Sequence, residues 1–224
     1  MAPTPWLADH EHYDTEFRDI KAVGQVLERA RFEACHFIDC DLTEARWRHG
    51  LLRQCRFERC NLSLWQLPYT ELAGVAFYDC KLLGVDWTRA ASPLLTPAPR
   101  LQFERCRLDD GSFFGLSLEA LVLRDCQAHE VDFREADLRR ADFRGSDLAG
   151  SLFGQTRLEG ADFSDARVVY QGTARELTLY GRPPGDYAYR LRATLTEPTG
   201  HRVGLKGTAR LQGRWVPLAY WVLR

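Results

Sequence analysis

The sequence lacks the marks of several large protein classes. No run of eighteen or more apolar residues occurs, which excludes a membrane-spanning helix of ordinary length. Residues 1–16 hold four acids, no base and no apolar core. A secretory signal is therefore not expected, and a cytoplasmic location is. The chain contains no P-loop, no dinucleotide-binding glycine motif and no GxSxG nucleophile turn. Its histidines (His10, His12, His36, His49, His129, His201) form neither HExxH nor zinc-finger spacing. These absences lead to the expectation of no enzyme, no cofactor and no metal.

What is present is a period. Stepping in fives from Phe17 gives Ala22, Leu27, Phe32, Phe37, Leu42, Trp47, Leu52, Phe57, Leu62, Leu67, Leu72, Phe77, Leu82 and Trp87. A second series runs from Phe103 through Leu108, Phe113, Leu118, Leu123, Ala128, Phe133, Leu138, Phe143, Leu148, Phe153 and Leu158 to Phe163. Neither a helix nor an ordinary strand repeats every five residues. Two residues before each large side chain sits a smaller one, such as Ala30, Cys35, Cys40, Ala45, Cys55, Cys60, Ala136, Ala141 or Ser146. One large and one small inward residue per unit describe one side of a square, and four units make a coil. A single coil cannot bury its apolar face, so coils must stack. At about 4.8 Å per coil, roughly seven coils predict a rod about 35 Å long.

All seven cysteines fall on the small inward position, with Cys40, Cys60 and Cys80 twenty apart, as are Cys35 with Cys55 and Cys106 with Cys126. A metal or redox ladder is the sharper reading. A column of compact buried thiols is the plainer one and is preferred, because free cysteine is among the most buried residue types. Parallel inward side chains also have the wrong vectors for disulfides.

Between Trp87 and Phe103 the register slips, sixteen residues standing where the period allows fifteen. The intervening stretch includes Pro93, Leu94, Leu95 and Pro97, and its prolines exclude a regular coil. Residues 88–100 are therefore read as a loop, either a binding element on a rigid scaffold or a plain join between half-rods.

After residue 168 the period vanishes. Tyr187 to Leu195, Val203 to Leu211 and Trp215 to Leu223 read as strands with turns at Pro198–His201 and Gln212–Gly213. They predict a small antiparallel β segment that caps the coil's open edge. Its stripe of Arg190, Arg192, Arg202, Lys206 and Arg210 suits an acidic partner or phosphate, or is a solvated face.

Segments such as CDLTEA (40–45), EADLRRADFRGSDLAG (135–150) and LEGADF (158–163) resemble the A(D/N)Lxx pattern of pentapeptide-repeat proteins. The resemblance implies an all-β fold, a right-handed quadrilateral β-helix over 17–168. It leaves 1–16 as an acidic N-terminal segment and 169–224 as the C-terminal β segment. The run GLKGTARLQGRWVPLAYWVLR (204–224) also resembles the closing hairpin of HlyD-type adaptors, which suggests an envelope or transport-linked accessory role.

Charge is uneven. Residues 17–87 carry ten acids and ten bases, 103–168 fourteen acids and nine bases, and 169–224 three acids and nine bases. Asp132, Asp137, Asp142, Asp147 and Asp162 each precede a central residue and point outward. Asp142 and Asp162 are expected to share one face, Asp110 and Glu130 another. Carboxylates repeated along a rod resemble the phosphate array of duplex DNA. CKLLGVDW (80–87) and the second repeat block are similar to the Qnr branch of the family. That similarity implies a protein partner, DNA gyrase or topoisomerase IV, and protection of that enzyme from inhibitors, with no direct nucleic-acid binding. It also implies a homodimer, although the dimerising C-terminal helix of that branch is replaced here by the basic β segment. A general protein-interaction scaffold is the alternative.

Overall fold

A computed structural model describes residues 11–90, 101–168 and 179–180. Within the two long stretches the chain winds as a parallel β-solenoid with four sides to a coil. The first side pairs Glu11–Tyr13, Arg31–Glu33, Leu51–Arg53 and Glu71–Ala73. The second stacks six parallel strands, Glu16–Arg18, His36–Ile38, Arg56–Glu58, Val75–Tyr78, Leu101–Glu104 and Val122–Arg124. The third is a column of single bridges that joins Lys21, Asp41, Asn61, Lys81, Arg107, Gln127, Asp147 and Arg167. The fourth includes Val26–Glu28, Arg46–Arg48, Gln66, Asp86, Ser112, Asp132 and Leu152. Among the described residues the ladder begins at Glu11, ahead of Phe17.

Five residues make a side because the fifth turns the chain. Asp39, Glu44, His49, Gln54 and Arg59 all sit at φ between 50° and 57°. Most such corner residues have a side chain, although the left-handed region costs an L-residue roughly 1–2 kcal/mol. Each is held there by the next coil, as where Asp39 N donates to Glu58 O at 3.0 Å and Gln54 N to Ala73 O at 2.8 Å. The ladder thus over-determines a conformation that local sequence disfavours.

Every residue of the two large-residue series is buried. On the second side Phe17, Phe37, Phe57, Phe77 and Phe103 stack with ring centroids 4.6–5.1 Å apart. On the fourth, Trp87, Phe113, Phe133 and Phe153 stack at 5.1–5.4 Å. Edge contacts join the columns, Trp87 meeting Phe103 at 5.4 Å and 73°. Each such pair adds about 0.5–1.5 kcal/mol beyond the area it buries.

The register slip resolves differently from the counted period. Phe103 pairs with Phe77, two sides after Trp87 rather than three, so six extra residues are inserted into one coil. The ladder closes over the insertion because the aromatic column and the bridges either side of it, Lys81 to Arg107 and Asp86 to Ser112, continue without a gap. Residues 91–100, with Pro93, Leu94, Leu95 and Pro97, lie outside the described residues. So do the three C-terminal strands, the adaptor-like run and Arg190, Arg192, Arg202, Lys206 and Arg210. Leu179–Tyr180 is described, and it pairs in parallel with Thr156–Arg157.

Candidate functional site

The insertion brings five cysteines into one column, since Cys106 follows Cys80 directly. Cys40 N points at Cys60 Sγ, Cys60 N at Cys80 Sγ, Cys80 N at Cys106 Sγ and Cys106 N at Cys126 Sγ, all at 3.3–3.4 Å. Ser146 ends the series, accepting from Cys126 N at 2.9 Å and donating to Leu123 O at 2.7 Å. The small inward residue therefore satisfies a backbone N–H of the preceding coil that would otherwise be buried unpaired. Ser151 does the same for Val131, and Thr70 for Gly50. All seven thiols are buried and unbridged. Burial, followed by the neighbouring Cys106, pushes the Cys126 thiol above its ordinary value. Among the described residues no group of histidine, cysteine and acid is arranged to hold a metal.

With the interior filled, candidate binding chemistry lies on the outside. The structure divides the seven acids singled out from sequence into two groups. Asp132, Asp137, Asp142 and Asp147 are half-buried and engaged. Asp132 takes a two-point fork from Arg134 at 2.9 and 2.7 Å, and Asp137 one from Arg139 at 2.7 and 2.7 Å. Arg157 of the next coil also reaches Asp137 at 3.2 Å. Asp142 is shared between Arg144 and Arg124, the latter at 2.6 Å. Burial alone would raise the Asp142 carboxyl, but the two guanidiniums hold it down at about 2. Asp147 meets Arg167 at 2.7 Å and His129 Nε2 at 3.2 Å. Asp162 stacks over Asp142, as expected, and accepts from Ser164 Oγ at 2.6 Å.

Asp110 and Glu130 differ. They occupy successive left-handed corners between the third and fourth sides, at φ 60° and 55°. Asp110 N bonds His129 O and Glu130 N bonds Ala149 O, so the two stack one coil apart. Both are exposed. Within the described residues neither lies within 4.0 Å of a base, in contrast to the four engaged aspartates. The same corner column holds Gly24, Glu44, Leu64, Gly84 and Gly150 besides, and so contains no base at all. Asp109, one residue earlier, is spoken for by Arg107, Gln127 and the His129 N–H.

Sequence reasoning passed over the partners of these acids. The pattern Asp-x-Arg at 132–134, 137–139 and 142–144 places both side chains outward on one strand, two residues apart. A second pattern runs down the corner between the second and third sides. Asp39 grips Arg59 at 2.7 and 2.8 Å, and Asp79 grips Arg105 at 2.8 and 2.9 Å. Its signal was the alternation of acid and base down one column, twenty residues apart from Asp39 to Arg59 and twenty-six across the insertion from Asp79 to Arg105.

The family model described as a pentapeptide repeat region matches residues 30–92 and 99–163. Among solved structures, the chain is similar to HetL of the cyanobacterium Nostoc, described as involved in heterocyst differentiation regulation. The two share 16% identity at a TM-score of 0.51, over 70% of this chain and 79% of that one. It is also similar to trypsin-treated QnrB1, described as a plasmid-mediated fluoroquinolone resistance protein. There the identity is 18% and the TM-score 0.39, over 82% of this chain and 91% of that one. No curated protein matches the chain. At 16% identity the likeness to HetL speaks to fold alone.

Proposed function

Since this chain belongs to the pentapeptide-repeat family, we propose that it is a non-catalytic binding rod that docks a protein partner along its outer surface. The observation that carries this reading is the base-free corner. Asp110 and Glu130 stand exposed on successive coils with no neutralising partner among the described residues, on a backbone fixed by the ladder. Coils lie about 4.8 Å apart, so the two carboxylates present a rigid anionic edge. A protein that grips duplex DNA through lysine and arginine finds similar charge there. Type II topoisomerases, DNA gyrase first, are the partners to test. The fluoroquinolone-resistance description of QnrB1 motivates the choice of assay and carries no weight beyond that.

The neutralised sides favour a second reading. Because Asp132, Asp137 and Asp142 are each forked by arginine, the second block presents mixed charge over most of its surface. That surface suits a general protein-interaction scaffold.

Titration into a gyrase supercoiling reaction, with and without a fluoroquinolone, separates the two. The topoisomerase reading expects inhibition or drug protection that is lost in Asp110→Arg with Glu130→Arg. It expects much less change from Asp142→Arg with Asp162→Arg. Absence of any effect on gyrase or topoisomerase IV would reject it and leave the scaffold, whose partner an affinity capture would then seek.

A further inference from the structure

Among the described residues ion pairing of the arginines is close to complete, and the exceptions lie in one place. Among the described residues every arginine lies within 4.0 Å of a carboxylate except Arg29, Arg46 and Arg48. Those three are neighbours. Arg46 and Arg48 flank the buried Trp47 on one strand of the fourth side, so both point outward, about 6.6 Å apart. Arg29 sits at the adjoining corner, where its N–H bonds Arg48 O at 2.8 Å. Arg46 Nε donates to the neutral amide oxygen of Gln66 at 2.7 Å.

Next along that corner is His49, whose ring stacks on Tyr69 at 5.0 Å and 8°. Tyr69 is 68% exposed, the highest value of any large hydrophobic side chain described. One carboxylate belongs to the patch. Glu28 lies opposite Arg48 in the ladder and forms no ion pair with it.

We infer that this patch, Arg29, Arg46, Arg48, His49 and Tyr69, binds single-stranded nucleic acid. Guanidiniums without carboxylate partners are free to meet phosphates, and an exposed aromatic ring among them offers a surface on which a base stacks. An acidic peptide would use the charges but has no need of the rings. The inference runs against the expectation from composition, because residues 17–87 count as neutral. Neutrality of the count conceals the patch, since Glu33, Asp39, Glu58, Asp79 and Asp86, half of the ten acids, are paired with other bases. The site is independent of the Asp110–Glu130 corner, which lies in later coils.

The test is fluorescence anisotropy of the full chain with a labelled oligothymidine of about 15 nucleotides, within the usual site size for such surfaces. Sequence-independent binding through about three phosphates predicts a Kd of roughly 10⁻⁴–10⁻⁶ M at physiological salt and a log–log salt slope of about 2. Arg29→Ala, Arg46→Ala and Arg48→Ala combined should weaken binding about tenfold or more. Tyr69→Ala should weaken it several-fold while leaving the salt slope unchanged. All four side chains point away from the core, and an unaltered circular dichroism spectrum verifies that each variant folds. Three outcomes overturn the proposal. One is no binding at low salt. Another is undiminished binding by the triple variant, which would move the contact to other bases such as Arg190 or Arg202. The last is tighter binding of polyglutamate than of oligothymidine with no effect of Tyr69→Ala, which would make the partner an acidic peptide.

Discussion

The coils before and after the inserted loop share a backbone path but are held together differently. In residues 11–89 the first two sides are extended strands, and bonds that close a corner from residue i+3 to residue i occur on the third and fourth sides, as at Ala45 N to Leu42 O. In residues 101–168 such bonds appear on all four sides, for example Ala141 to Leu138, Ser146 to Phe143, Ser151 to Leu148 and Ala136 to Phe133. The inner small column changes from thiol to hydroxyl along the same path. Ion pairs change too. Pairs between coils occur in both halves, as Asp79 with Arg105 and Asp147 with Arg167, and the second half adds a repeated Asp-x-Arg pair within a side, as Asp132 with Arg134. One five-residue geometry therefore tolerates two chemistries, provided each supplies an inward packing pair and a partner for the inward N–H.

The comparison breaks most decisively at the aromatic column that crosses the boundary. Phe77 is fully buried between Phe57 and Phe103 at 5.1 and 5.0 Å. Phe77→Ala should cost about 3–5 kcal/mol in urea unfolding. If the two blocks are independent units, the transition will also split into two steps. A single steeper loss would show that they fold as one.

Next in size is the inner column. Ser146→Ala removes two short bonds and leaves Cys126 N unpaired, so a loss of about 1–3 kcal/mol is expected. Cys60→Ala removes longer contacts, to Cys40 N at 3.4 Å and Phe37 O at 3.4 Å, and should cost less. Equal losses from chemical denaturation would mean that thiol and hydroxyl are interchangeable there.

Smaller again are the ion pairs. Asp79→Asn breaks a link between coils, and about 0.2–1 kcal/mol should be lost and disappear in high salt. Asp132→Asn breaks a pair within one strand that ties no coils together and should lie at the bottom of that range.

Of no greater size is the expected effect on acid sensitivity. The folded Asp142 carboxyl lies at about 2, below its unfolded value near 4. Its contribution is complete above about pH 4 and is lost as pH falls toward 2. Asp142→Asn should flatten that part of the stability–pH curve by no more than about 1 kcal/mol, because solvent screens the pair. An unchanged curve would mean that the carboxylate gains nothing on folding.

Much of the coil was legible because Phe, Leu and Trp recur every five residues, and the structure buries every residue of both series. Positions of the outward acids followed from the same count, and Asp142 does stack under Asp162. Their pairing did not follow, since it depends on whether Arg124 and Arg144 bend onto Asp142. The slip near Pro93 was legible as a slip. Its size in coil terms was not, because a sixteen-residue gap fits either three sides and one residue or two sides and six.

Period, inward residue types and outward charge positions belong to the sequence alone, because a five-residue repeat leaves one way to bury large side chains, against the coils on either side. The tertiary structure decided the rest. Stacking over the insertion set Cys106 on Cys80 and Phe103 on Phe77. Side-chain reach across coils then determined which charges cancel, and left Asp110 and Glu130 on one corner and Arg29, Arg46 and Arg48 on one side without opposite partners. Ion pairing depends on distances of a few ångströms between residues two apart on a side or one coil apart, and composition carries no record of those distances.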